Sequence, residues 1–529
     1  MSLTSSHPAI ASETGFQIRG SLLARNTVLN FICAAAPLLI GVITLPYVIG
    51  GLGVDRFGIL SLAWVLAGYL GFLNLGLGPA TTKFVAELLG KGQAQRLPAL
   101  IWTSLSVSAI LGTIGGVTLA AATLFLIGRL FKLSPSLGAE ARVVFLLIAI
   151  SLPVVFTMNS LRGVLEAAQR FDLVNAVNLP LNSANFLVPA IAVLLGFGLP
   201  AIVGFLVVSR FAAALAYFAL SLRIFPNLHG QPFFLDPKVL RPLLGFGGWV
   251  SIGGVIGPIV TYLDRFLIGA LISMAAVGYY AAPYEAVMRS AVLPGALVGV
   301  LFPAFSTLGG GRQLAEVENL FVRSIRYLLL AVGPFAILLV LYARQILEIW
   351  LGPDFARQST LAFQILPVGM LLSSILWIPH VLLQAVGRPD LSPKFVLLVL
   401  PLYVGLAWLL ISRLGITGAA LAFALRVGLQ GVLLFAACTH LRLASLRSWA
   451  SSRMMISLAM LVGLAAALAG LPYFGRSWPT NAGFAVFLLL LFGVAGWRYA
   501  LDPGERTGLR TGLGQLPPSV LPRGLRDAR

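Results

Sequence analysis

Six charged side chains stand inside otherwise apolar stretches of this 529-residue chain. Asp264, Arg265, Glu285 and Arg289 interrupt the run from Leu243 to Phe305, while Arg210 and Arg426 lie in two other runs. A charge at the centre of a bilayer helix costs roughly 2.5–3.5 kcal/mol on insertion scales, so such groups normally face a partner or a wet cavity. Glu285 and Arg289, at i and i+4, share one helical face. A turn near residues 271–276 brings that face to the depth of Asp264 and Arg265, which predicts an Arg265–Glu285 or an Asp264–Arg289 ion pair across a hairpin. Arg210 and Arg426 have no acid within their own helices. Summed over all apolar spans, four positive and two negative charges leave a surplus of +2. That surplus suits a dianion, and the planar guanidinium fork grips phosphate oxygens with paired charge-assisted hydrogen bonds. Two plainer readings stand beside it: a buried structural network for the first four charges, and snorkelling or carbonyl bonding for Arg210 and Arg426. Asn175, Asn178, Asn182 and Asn185, spaced three, four and three, share another helical face. Such amides either join helices by hydrogen bonds or meet sugar hydroxyls.

The elements that must hold these groups are membrane helices. Of the residues 59% are hydrophobic and 10% charged, against about 25% charged in a soluble domain. Apolar runs of about 20–28 residues fit a helix crossing a hydrocarbon layer of roughly 30 Å, and not the alternating segments of a barrel. The expected fold is an all-α polytopic membrane protein with about 14 transmembrane helices. With the N-terminus inside, cytoplasmic segments hold 24 of the 36 Lys and Arg and outer loops hold eight. This three-to-one excess sets the expected orientation, with both termini cytoplasmic. The net charge of +19 is thus spread as topology signals, and no nucleic-acid partner is expected. Residues 1–25 lack the apolar core of a cleavable signal, so the first span is expected to act as its own insertion signal.

The chain also repeats itself. "LEAAQRFDL" (165–173) matches "LQAVGRPDL" (383–391), "GLPAIVGFLVVSR" matches "GITGAALAFALR", and "FGILSLA" (57–63) matches "VGYYAAP" (277–283), at offsets of 216 to 220. Six helices per unit leave both copies the same way up, a parallel pseudo-repeat. The expected organisation has a cytoplasmic segment 1–26, a six-helix lobe 27–222, a cytoplasmic linker 223–242 and a second six-helix lobe 243–438. Two appended helices follow in 439–499, and then a basic cytoplasmic tail 500–529 expected to be disordered. Pro37 and Pro258 recur at similar places in the first and seventh helices and are candidate hinges, although proline is also common in static membrane helices. Gly112 with Gly116, and Gly253 with Gly257, have the spacing of close helix packing. Cys33 and Cys438 lie in separate apolar runs and are expected to be packing residues. The four histidines are scattered, no phosphate-binding loop or nucleophile–base set is present, and no outer loop exceeds about 15 residues. No catalysis, metal or cofactor is expected.

Four stretches carry a family resemblance: "LDRFLIGALISMAAVGYYAAPYEAV" (263–287), "LFPAFS" (301–306), "GLGVDRFGILSLAWVLAGYLGFLNLGLGPATTKFVAE" (51–87) and "LLQAVGRPDLSPKF" (382–395). Together they resemble the oligosaccharide-lipid flippases of bacterial surface polysaccharide synthesis, in the multidrug, oligosaccharidyl-lipid and polysaccharide exporter superfamily. The resemblance implies two six-helix lobes and alternating access in the bacterial inner membrane. It also implies a polyprenyl-pyrophosphate-linked oligosaccharide as substrate, with membrane lipids, a polysaccharide polymerase and export machinery as partners. Arg210, Arg265, Arg289 and Arg426 would then compensate the pyrophosphate, with Asp264 and Glu285 as supporting acids and the asparagine face toward sugar. A peptidoglycan-precursor flippase ranks second. A cation-coupled drug exporter ranks lower, because Glu13, Asp55, Glu87, Glu140, Glu166 and Asp172 all fall outside the predicted spans. The rival class is a non-transporting component of polysaccharide assembly.

Overall fold

The computed structural model describes residues 36–37, 39–69, 76–125, 127, 129, 131, 133–228, 236–289, 301, 305, 314–445, 452–471, 478–502 and 506, with the side chains of 67–69, 238, 245–256, 258–259, 289, 314, 478–479 and 482 excepted. The N-terminal segment, Cys33, most of the C-terminal tail and the side chains of Pro258 and Arg289 therefore lie outside it.

The protein is all-helical. Helices run as α1 (Leu39–Leu52), α2 (Val54–Tyr69), α3 (Leu77–Gly90), α4 (Leu97–Phe125), α5 (Pro135–Ala167), α6 (Phe171–Leu194), α7 (Leu199–Ile224) and α8 (Pro237–Leu271). They continue as α9 (Met274–Arg289), α10 (Leu314–Leu341), α11 (Ala343–Leu351), α12 (Pro353–Ala385), α13 (Leu391–His440), α14 (Ser452–Gly470) and α15 (Trp478–Ala495). Among the described residues nine helices are long and apolar enough to cross a membrane, with α1 a shorter apolar one. The expected figure of 14 spans extends into residues outside that set.

Glycines mark two boundaries close to where the sequence puts them. The span expected over 57–78 contains α2, residues 70–75 lie outside the described set, and Gly76, at φ 62, takes the left-handed conformation just before α3. A glycine there adopts without steric cost a backbone turn that ends a straight helix. The two spans expected at 395–412 and 419–438 are likewise two helical segments of α13, which meet at Gly415, where the backbone is not helical (φ 62, ψ −139).

The chain divides into two compact units. One comprises Met1–Thr44, Ala67–Ala120 and Leu146–Ile252, and the other Leu45–Leu66, Ala121–Phe145 and Gly253–Arg529. In the first, Leu77, Leu100, Val164, Tyr217 and Leu243 belong to one buried cluster. Gly112 and Gly116 let α4 lie directly on α5: a Cβ at Gly112 would sit 2.5 Å from the Pro153 Cα, and one at Gly116 2.5 Å from the Ala149 carbonyl oxygen. The close packing expected of this pair is present; of the other expected pair, the side-chain position of Gly253 lies outside the described residues, and a Cβ at Gly257 would meet nothing within 4 Å among them. Hydroxyls add further links, as between Ser108 and Ser160 at 2.7 Å. In the second unit α14 packs on α10, where the Tyr342 hydroxyl donates to the Leu468 carbonyl at 3.0 Å.

The repeated loops have the same local build. Gln169 and Gly387, 218 residues apart, both take positive φ (58 and 80) just after a helix. Three residues beyond each, an aspartate pairs with the arginine two before it: Arg170 with Asp172 at 2.9 Å, and Arg388 with Asp390 at 3.2 Å.

Candidate functional site

The α8–α9 hairpin forms because Ser273 caps the second helix, its Oγ accepting from the Ala276 N–H at 3.1 Å. This tight turn sets Tyr262, Asp264 and Arg265 of α8 against Tyr280, Tyr284 and Glu285 of α9. The Arg265 guanidinium donates to Glu285 at 2.9 Å, one of the two pairings expected from the sequence. The other expected pairing, Asp264 with Arg289, falls on a side chain outside the described residues, and Asp264 has partners of its own. Its carboxylate accepts from the Tyr280 hydroxyl at 2.7 Å and from the Arg265 backbone N–H at 2.7 Å. Asp264 and Arg265 are each only 1% exposed, so these bonds replace hydration that burial removes.

Aromatic rings cover the guanidinium faces. Arg265 lies 4.7 Å from the Tyr262 ring centroid and 4.5 Å from that of Tyr284. Arg426, from the second half of α13, lies 5.3 Å from Tyr403 and 5.4 Å from Phe423. An edge-on contact between Tyr284 and Phe423, with centroids 6.0 Å apart, joins the two stacks. Stacking stabilises each cation by about 0.5–2 kcal/mol per contact and leaves the in-plane N–H edge for hydrogen bonding. On Arg265 and on Arg426 the buried Nε–H has no hydrogen-bond acceptor among the described residues. Oxygens of an anion are the complementary acceptors for such donors.

The structure thus brings Asp264, Arg265, Glu285 and Arg426 together in one unit, and their four charges sum to zero. Arg289 ends α9, with its side chain outside the described residues. Arg210 belongs to the other unit, half-buried in α7 with no carboxylate within ion-pair distance among the described residues. The asparagines of α6 belong there too. Asn178 accepts from the Tyr217 hydroxyl of α7 at 3.0 Å, a helix-joining bond, and Asn185 donates to the Leu181 carbonyl at 3.4 Å. Asn175 is half-buried and Asn182 exposed. Pro37 is helical and buried, and α8 runs helical through Pro258.

Sequence reasoning missed the rings and one arginine. Tyr262 and Phe423 each precede their arginine by three residues, a same-face signal visible in the sequence. Arg326 was counted with a cytoplasmic loop, yet α10 begins as early as Leu314 and carries it to 4% exposure, 5.6 Å from the Tyr327 ring.

Long apolar helices around buried guanidinium stacks define a multi-pass membrane protein of the transporter type. The chain belongs to the polysaccharide biosynthesis protein family, whose profile matches residues 23–308. Over 415 residues it is 27% identical to a Shigella flexneri protein described as "Putative O-antigen transporter", covering 78% of this chain and 96% of that one. In fold it is similar to the lipid II flippase MurJ in an inward closed conformation, with a TM-score of 0.67, 13% identity and coverage of 90% and 99% of the two chains. An inward-facing multidrug transporter of the MATE family gives 0.59 and 15%, covering 79% and 94%.

Proposed function

We propose that this chain flips a polyprenyl-pyrophosphate-linked oligosaccharide from the cytoplasmic to the outer face of the bacterial inner membrane, by alternating access, for surface polysaccharide synthesis. The observation that carries the reading is the pair of stacked guanidiniums, Arg265 and Arg426, whose buried Nε–H groups have no acceptor among the described residues. An unsatisfied buried donor costs about 1–3 kcal/mol, more when charged, and pyrophosphate oxygens supply the missing acceptors. Arg265 is anchored by Glu285, so it serves as the fixed member. Arg426 has no carboxylate within ion-pair distance among the described residues, so its N–H edge is open to phosphate oxygens, while Asp264 balances its charge within the cluster. Arg210 and Arg289 supply the surplus positive charge, and asparagines of α6 meet sugar. The polyprenyl chain stays in lipid while the headgroup crosses. Both termini are cytoplasmic, and a polymerase and export machinery take the product onward. Pro37 and Pro258 act as hinges.

The test is complementation of surface polysaccharide in cells lacking the chain. Arg426→Ala should lower surface polysaccharide roughly ten- to a hundredfold at unchanged protein abundance, since a charged hydrogen bond is worth about 1.5–3 kcal/mol. Arg426→Lys, which keeps the charge but not the fork, should restore part of it. Wild-type polysaccharide from Arg426→Ala would remove this residue from the site.

A further inference from the structure

Helices α2 and α9 meet backbone to backbone. A Cβ added to Gly58 would overlap the carbonyl oxygen of Met274, and one added to Gly278 would lie 2.6 Å from the carbonyl oxygen of Val54. These four positions are related by the internal repeat: Val54 and Met274, and Gly58 and Gly278, are each 220 residues apart. Residue i of the first copy therefore touches residue j of the second, and j of the first touches i of the second. That reciprocity is the mark of a twofold contact, here the pseudo-twofold of a parallel repeat. One turn further along, the seam continues through another small pair at the same offset, Ser61 (4% exposed) and Ala281 (0%).

Both helices lie within the second compact unit, although α2 comes from the first half of the sequence. The parts of the first half that join this unit, Leu45–Leu66 and Ala121–Phe145, are those flanking its first two predicted outer loops. Arg56 and Glu140 tie these parts together through two hydrogen bonds of 2.7 Å, and Phe131 lies 3.2 Å from where a Cβ of Gly269 in α8 would be.

We propose that Gly58 and Gly278 form a gate seam that closes the outer end of the transport path and parts when that end opens. The proposal rests on the flippase reading and specifies how that flippase closes. Two helices touching through bare backbone have no interlocked side chains to withdraw, so the seam separates and reseals with little rearrangement. A side chain at either glycine acts as a wedge, favouring the open outer end.

The experiment uses the full chain with Cys33→Ser, Cys438→Ser and Ser61→Cys, labelled from outside intact cells by a membrane-impermeant thiol reagent. The added thiol should be protected with glycine at both positions and should label roughly tenfold faster in Gly58→Leu or Gly278→Leu, the population shift expected of a wedge. Unchanged labelling in both variants at normal abundance overturns the proposal. Should the leucine variants fail to accumulate, cysteines at Val54 and Met274 joined by a short reducible bifunctional thiol reagent give the second arm. Joining them should abolish surface polysaccharide, and reduction should restore it; undiminished polysaccharide from the joined chain overturns the seam. Labelling reads the seam without substrate, so a failed flippase reading would show instead as a chain whose seam opens but which restores no polysaccharide.

Discussion

At the scale of single residues, the Asp264 carboxyl bonds the Tyr280 hydroxyl and the N–H of its own helix, while the neighbouring guanidinium turns to Glu285. Tyr280→Phe should therefore destabilise the protein by about 1–3 kcal/mol, the cost of leaving a buried partner unsatisfied. Tyr284→Phe retains the ring face on Arg265 and should change stability by less than about 0.5 kcal/mol. Unfolding midpoints of the two variants in the same detergent check the contrast, and equal midpoints would remove the Tyr280 bond as a stabilising interaction. The charges of this cluster were legible in the sequence because a carboxylate or guanidinium in an apolar run announces a cost that something must offset. The hairpin then fixed the depth of Glu285 relative to Arg265. The rings were less legible: Tyr284 reaches Arg265 from another helix and Tyr403 reaches Arg426 from across the Gly415 break in α13, and a tyrosine in an apolar run carries no comparable penalty.

At the scale of elements, helix spacing is set by which glycines face backbone. Gly112→Ala should cost about 1–3 kcal/mol, because its Cβ would come within 2.5 Å of the Pro153 Cα. Gly115→Ala, whose nearest neighbours are side-chain atoms 3.7 Å away or more, should cost nothing. Thermal unfolding of the two variants separates these outcomes. The small-residue spacing that the sequence shows at Gly112 and Gly116 is the one used here. The repeated Arg-x-Asp loops make a second prediction at this scale. Lys394 and Arg388 hold the Asp390 carboxyl down at about 2 from its ordinary 3.8. A depressed carboxyl contributes stability that is complete above its unfolded value and lost as pH falls through the folded one. The start of α13 should therefore loosen between about pH 4 and pH 2, and Asp390→Asn should remove that acid step in hydrogen exchange of residues 391–394. An acid step of equal size in the variant would assign it to other groups.

At the scale of the whole molecule, the repeat and the helical class were readable because both are written in period and length, whereas the left-handed turn at Gly76 depends on one backbone angle. Orientation is the property on which direction of transport turns. Lys and Arg favour the side expected to be cytoplasmic by 24 to eight, and moving negative charge outward across an inside-negative membrane gains roughly 2.3 kcal/mol per charge per 100 mV. If that orientation holds, the seam of Gly58 and Gly278 closes the outer end and the membrane potential assists an anionic headgroup leaving the cell. Reversed, the same seam would close the inner end and the potential would oppose the proposed cargo. Single cysteines at exposed positions decide between them in the chain freed of its own two cysteines. Thiols at Ser136 and Gln358 should react with an impermeant reagent in intact cells, while thiols at Gln93 and Gln169 should react only after the membrane is permeabilised. The opposite pattern would place the seam on the cytoplasmic side and end the outward-flipping reading, because the charge surplus in the loops and the potential would then act against it together.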